Sequence, residues 1–171
     1  MKRSMASIGI IYGSSTGKTE AAADLIQEVL GTGDVISIGQ VTSEKLNSYD
    51  LLILGTSTWG TGDIQDDWAE QKGLLGEVNW KGKTVAFYGL GDQESFSETF
   101  LNGLGILYQW VAPLGARLVG AWPTDGYFFE ASQALVNGKF VGLALDDDNQ
   151  GALTDERVKK WVAGLRAEGF N

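Results

Sequence analysis

The chain contains no cysteine and no histidine. Without cysteine there is no disulfide frame and no thiolate site. Without histidine the usual general base, the serine-triad base and the commonest metal ligand are missing. Redox work would therefore fall to a bound organic group. Basic residues are also scarce, 13 Lys and Arg against 22 Asp and Glu, which leaves a net charge of −9 and a pI of about 4.4. That argues against nucleic acid, whose phosphates would repel the chain, and favours partners with a basic docking face. No apolar run approaches membrane-spanning length, so no membrane insertion is expected. Met1-Lys2-Arg3 is basic, but the apolar run behind it is too short for a secretory core, and a cytoplasmic location is expected. The 171 residues are read as one domain, large enough to bury its own core.

What is present is organised around Gly13-Ser14-Ser15-Thr16-Gly17-Lys18-Thr19. It follows the apolar run Ile8–Tyr12, which reads as a buried strand. It precedes a helix whose apolar face is Ala22, Leu25, Ile26, Val29 and Leu30. A helix start presents unpaired N–H groups and a partial positive charge. With hydroxyls at Ser14, Ser15, Thr16 and Thr19, its natural occupant is a phosphate. Two other phosphate loops are excluded. The pattern G-x-x-x-x-G-K-[ST] would need glycine at position 12, which is Tyr12, and G-x-G-x-x-G is missing. The loop alone also permits a plain helix start capped by Thr16, with Lys18 turned to solvent.

Strand signals alternate with helix signals along the chain, the pattern of an open, mainly parallel sheet covered on both faces. Asp34–Ile38 reads as the second strand, a short helical turn falls around Ser43 to Leu46, and Asp50–Gly55 is the third strand. That strand is continuously apolar and so central. A loop, Thr56–Asp63, carries Trp59 between Gly60 and Gly62 on one side and polar residues on the other. Asp66 to Leu75 reads as a helix. Thr84–Tyr88 is the fourth strand, followed by a second glycine-bearing loop, Gly89–Glu94. Ser95 and Glu98 have capping-box spacing before a helix that buries Phe100, Leu101, Leu104, Leu107, Tyr108 and Val111. Arg117–Trp122 starts a fifth strand that Pro123 stops, and Phe140–Leu145 reads as strand again. Thr124–Lys139 is too long for an ordinary connection and is read as an excursion interrupting the fifth strand. The last helix opens at Thr154 and buries Val158, Trp161, Val162 and Leu165.

Three loops therefore stand at the carboxyl ends of strands one, three and four, where such sheets bind ligands. The first offers a phosphate cradle, the second an aromatic plate in Trp59, the third a second plate in Phe96 beside Gly91-Asp92. A planar ring between two aromatics with its phosphate at a helix start describes flavin mononucleotide (FMN). The chain resembles a flavodoxin of the long-chain type over Ser7 to Glu168. The resemblance rests on Ser14-x-Thr16-Gly17-Lys18-Thr19, Thr58-Trp59-Gly60-x-Gly62 with Gln65-x-Asp67-Trp68, Gly91-Asp92-Gln93, and Gly126-Tyr127 with Phe140–Ala144. Flavodoxins are themselves a standard instance of the rule that places ligands at the strand ends.

The resemblance implies a flavodoxin-like doubly wound sheet of five parallel strands, order 2-1-3-4-5, with the fifth interrupted. It implies that Ser14, Ser15, Thr16, Gly17, Lys18 and Thr19 hold the phosphate. Trp59 would stack on the inner flavin face, with Ser57 and Thr58 on the same loop, and Gly60, Thr61 and Gly62 beside it near N5. Leu90, Gly91 and Asp92 would meet the pyrimidine edge, Phe96 the outer face, and Asp148 the ribityl chain. Phe96 departs from the family's usual tyrosine and lacks its hydroxyl. The implied function is a low-potential, one-electron carrier cycling between flavin semiquinone and hydroquinone, with no catalytic residues and no metal. The implied partners are a ferredoxin/flavodoxin-NADP reductase, photosystem I or nitrogenase, and a monomer is expected. Two rivals share the fold class, an FMN-dependent NAD(P)H:quinone oxidoreductase and a receiver-like signalling domain. The first would want a catalytic histidine or tyrosine pair, the second an acidic pocket where hydroxyls stand here.

Overall fold

The computed structural model describes residues 7–170; the basic Met1-Lys2-Arg3 start lies outside them. Ile8–Tyr12 forms β1 and is followed by α1 (Lys18–Leu30), β2 (Asp34–Ser37) and α2 (Ser43–Asn47). Next come β3 (Leu51–Trp59), β4 (Asp63–Ile64), α3 (Asp66–Glu70), α4 (Lys72–Leu75) and β5 (Thr84–Leu90). The chain continues through α5 (Asn102–Val111), β6 (Arg117–Val119), β7 (Leu135–Val136), β8 (Lys139–Phe140), β9 (Leu143–Leu145), α6 (Asp147–Gln150) and α7 (Thr154–Ala167).

The strands line up as β2-β1-β3-β5-β6, all parallel. β6 pairs with the first half of β5, Thr84 opposite Arg117, and β9 pairs with its second half, Tyr88 opposite Leu143. The expected fifth strand is thus present in two pieces. The excursion between them leaves at Pro123, folds a small antiparallel hairpin of β7 and β8, and returns where Phe140 bridges to Trp122. In β1, Ile10 and Ile11 are both fully buried. Neighbours in a strand point to opposite faces, so both faces of the sheet are covered. α1 packs over β1 and beside α7, and α5 packs over β3 and β5. Arg166 ties α7 to the end of α1 by donating to the Val29 and Leu30 carbonyls.

Three local expectations are revised, and the alternative of a Thr16 cap is not realised. The third strand continues to Trp59, because Thr58 and Trp59 pair with Ile64 and Asp63 in a hairpin. The helix read over Asp66 to Leu75 is broken at Gln71, whose φ of −100° and ψ of 13° leave the helical region. The Ser95/Glu98 capping box does not form. Asp92 instead accepts the Ser95 N–H, residues 93–101 run in turns, and the helix starts only at Asn102 after left-handed Leu101. Thr16 does not cap α1. Gly17 occupies that position at φ 88°, a left-handed conformation that costs glycine little, and its N–H donates to the Ser14 hydroxyl.

Candidate functional site

The ends of β1, β3 and β5 open on one cleft of about 320 Å³. It lies at the switch point between β1 and β3, where successive crossovers run to opposite sides and leave a crevice. From the first loop Thr16, Lys18 and Thr19 line it; from the second, Ser57, Thr58, Trp59 and Gly60; from the third, Leu90, Gly91, Asp92 and Phe96; and from α6, Asp148. Twelve of the seventeen expected residues therefore share one cavity. Ser14, Ser15, Gly17, Thr61 and Gly62 are not in its lining: the first three build the loop beneath it, and Thr61 and Gly62 complete the turn after Trp59.

Trp59 and Phe96 are 41% and 47% exposed, unusual for large aromatics in a chain whose other tryptophan on that segment, Trp68, is fully buried. Trp59 is held by its indole N–H, which donates to the Ser57 hydroxyl at 2.6 Å. Trp68 fixes the turn behind it, donating to the Gly55 carbonyl. Gln65 caps α3 by accepting from Asp67 and Trp68, and reaches the phosphate-side loop by donating to the Ser15 hydroxyl.

The first loop leads into α1, whose opening N–H groups have no intrahelical acceptor. Among the described residues, Ser15, Thr16 and Lys18 N–H groups find no protein partner, which suits an anion supplied from outside. Lys18 is not free in solvent. Its ammonium pairs with the Asp148 carboxylate at 2.6 Å, and that hydrogen bond, offset in part by desolvation, raises its pKa.

On the third loop, burial alone pushes the Asp92 carboxyl up. Hydrogen bonds from the Ser95 and Glu94 N–H groups, the Ser95 hydroxyl and the Asn149 amide outweigh it and leave the carboxyl below its usual range. The carboxylate is thereby committed to its own loop. The Asp92 backbone N–H has no acceptor among the described residues.

Four cleft residues were missed in the sequence: Thr99, Phe100, Leu101 and Asp147. The first three belong to the turns that replace the expected helix start; Phe100 and Leu101 are core residues, as the sequence predicts, and the helical period gives no sign that they also border the cleft. Asp147 stands in the acidic run Asp146-Asp147-Asp148, where three identical neighbours give no sign of which side chain faces the cleft; Asp146 is buried completely. Among the described residues there is no cluster of metal-ligating side chains, and no helix is long and apolar enough to cross a membrane.

Fold and cleft together define a doubly wound α/β protein with a small-ligand crevice at its switch point. The flavodoxin family model matches residues 10–161, and the chain belongs to the flavodoxin family. It is 46% identical over 164 residues to the flavodoxin of a Nostoc species, covering 94% of this chain and 96% of that one. It is 47% identical over 167 residues to flavodoxin 1 of Salmonella typhimurium, covering 96% and 95%. The solved structure of Fusobacterium nucleatum flavodoxin bound to flavin mononucleotide superposes with a TM-score of 0.90 at 35% identity, over 96% of this chain and 99% of that one. Family membership makes this an electron-transfer protein and not an enzyme, which sets aside the quinone-reductase alternative.

Proposed function

We propose that the chain, as one domain, holds FMN non-covalently in the cleft and carries single electrons at low potential between protein partners in the cytoplasm. The observation that carries this reading is the pair of exposed aromatics, Trp59 and Phe96, in one cavity that Thr16, Lys18 and Thr19 of the hydroxyl-rich helix start also line. When bound, FMN supplies a one-electron step that needs no catalytic side chain. The chain's residues bind it, orient it and set its potential.

The loop from Ser14 to Thr19 receives the phosphate on neutral N–H and hydroxyl donors. Trp59 and Phe96 take the two ring faces, Leu90, Gly91 and Asp92 the pyrimidine edge, and Asp148 the ribityl side. Ser57 and Thr58 complete the wall behind Trp59. The Trp59 carbonyl already accepts the Gly62 N–H at 3.2 Å. The Gly60 carbonyl has no partner among the described residues, and it would accept a proton held at flavin N5. Gly60 sits at φ 54°, so the peptide can turn its carbonyl without a side-chain penalty. The phosphate's charge is not neutralised, and the protein carries −9 overall. Each nearby negative charge opposes an added electron by on the order of 1 kcal/mol, which drives the potential down.

Purified protein is expected to be yellow, and apo-protein to quench FMN fluorescence at a one-to-one ratio. A stepwise reductive titration followed by visible spectroscopy is expected to resolve two one-electron steps, the second at low potential. A colourless protein that leaves FMN fluorescence unquenched would reject the reading.

A further inference from the structure

Asp146 is fully buried, and four N–H groups converge on its carboxylate. The Gln93 backbone N–H donates at 3.0 Å, the Gln93 side-chain amide at 2.7 Å, the Asn149 N–H at 3.0 Å and the Asn149 side-chain amide at 2.8 Å. The same Asn149 amide also donates to Asp92 at 2.8 Å. Gln93 is itself 2% exposed, and its carbonyl oxygen accepts the Phe128 N–H at 2.6 Å. One residue before Asp146, the Leu145 carbonyl accepts the Gly91 N–H at 3.1 Å.

None of Asp146, Gln93 and Asn149 lines the cleft, while Gly91 and Asp92 do. The carboxylate therefore stands behind the third loop and acts on the cleft only through it. We propose that Asp146 is a positioning residue for the flavin ring. Through Gln93 and Asn149 it fixes the Gly91–Asp92 backbone where the free Asp92 N–H meets the pyrimidine edge. Through Gln93 it also anchors the Thr124–Lys139 excursion at Phe128. The inference rests on the FMN reading above and adds to it a residue that does not touch the ligand.

The chemistry requires a carboxylate. Three donors meet Oδ2 and the Asn149 N–H meets Oδ1, whereas an amide in its place has one oxygen and turns its NH2 group toward at least one donor it cannot accept from. A buried group left in that state is costly, and the loop must move to relieve it.

The test compares apo-protein of wild type, Asp146→Asn and Gln93→Ala, each checked by circular dichroism and thermal melting. Each is titrated with FMN, riboflavin and inorganic phosphate. In Asp146→Asn the affinities for FMN and riboflavin are expected to fall together, by about ten- to a hundredfold, because both use the ring contacts. Gln93→Ala is expected to show a smaller fall in both. Phosphate, which uses only the first loop, is expected to bind all three proteins equally. Should Asp146→Asn not fold, Gln93→Ala decides by the same criteria, since it leaves the carboxylate three donors. Folded variants that hold both flavins as tightly as wild type overturn the proposal. So does an equal loss of phosphate affinity, which would mark general loosening. Wild-type protein that binds phosphate but neither flavin overturns the FMN reading itself, and this inference with it.

Discussion

The Lys18 ammonium lies 2.6 Å from the Asp148 carboxylate, joining the first loop to the segment after β9 across 130 residues of sequence. Both side chains are about half exposed, so the pair contributes little to stability, about 1 kcal/mol or less. Its effect falls on the cleft: a cation beside the phosphate loop is engaged elsewhere. Asp148→Asn is expected to free Lys18 and to tighten FMN binding by a few-fold at low salt. The gain should vanish at high salt, as screening predicts. Fluorescence-quenching titrations at two ionic strengths check it, and a weaker complex at low salt would contradict it.

Gly60 stands at φ 54°, where a residue with a Cβ is strained by about 1–2 kcal/mol. A Cβ there would also lie 3.3 Å from the Asp63 carboxylate. Gly60→Val is therefore expected to hinder reorientation of the turn. The yield of one-electron-reduced flavin during photoreduction should fall relative to wild type. Equal yields would show that the turn's carbonyl plays no part.

Phe96 can stack but cannot donate a hydrogen bond. Phe96→Ala is expected to weaken FMN binding by about tenfold, and Phe96→Tyr to leave it within about threefold. Calorimetric titration of the three apo-proteins measures both. An alanine variant that binds as tightly as wild type would remove Phe96 from the site.

Alkaline pH should destabilise the fold through its tyrosines. Burial, then the hydrogen bond to Glu20, pushes Tyr12 up to about 12, and burial pushes Tyr127 up to about 12. Burial also raises Tyr49 and Tyr88, whose hydroxyls donate to Asp34 and to the Thr19 carbonyl. An unfolded tyrosine loses its proton near pH 10. Between about pH 10 and 12 the unfolded state thus binds fewer protons than the folded one, and stability falls as pH rises. Denaturant midpoints at pH 9 and pH 11 test this, and a flat profile would contradict it.

Asp63, Asp66, Glu70 and Glu94 are exposed around the cleft's rim loops. A basic partner is steered toward such a face, and salt screens the attraction. Electron-transfer rates to a basic reductase are expected to fall as salt rises. Rates independent of salt would reject steering.

Much of this was legible in the residues alone. Apolar runs such as Leu51 to Leu54 can only be buried strands, and their alternation with amphipathic helices dictates a parallel, doubly wound sheet. Strand ends rich in Gly, Ser and Thr marked candidate ligand loops, because such residues leave backbone N–H groups open to an outside partner. The sequence could not tell which aspartate of Asp146-Asp147-Asp148 is buried, nor that Ser95 to Leu101 would turn instead of coil into helix. Those outcomes depend on donors brought from 53 residues away, as with Gln93 and Asp146, and local propensity carries no record of them. Residue types and their periods determined the sheet and the kind of ligand. Packing between distant loops decided which carboxylate holds the cleft in shape, because a buried charge is tolerated only where several donors meet it.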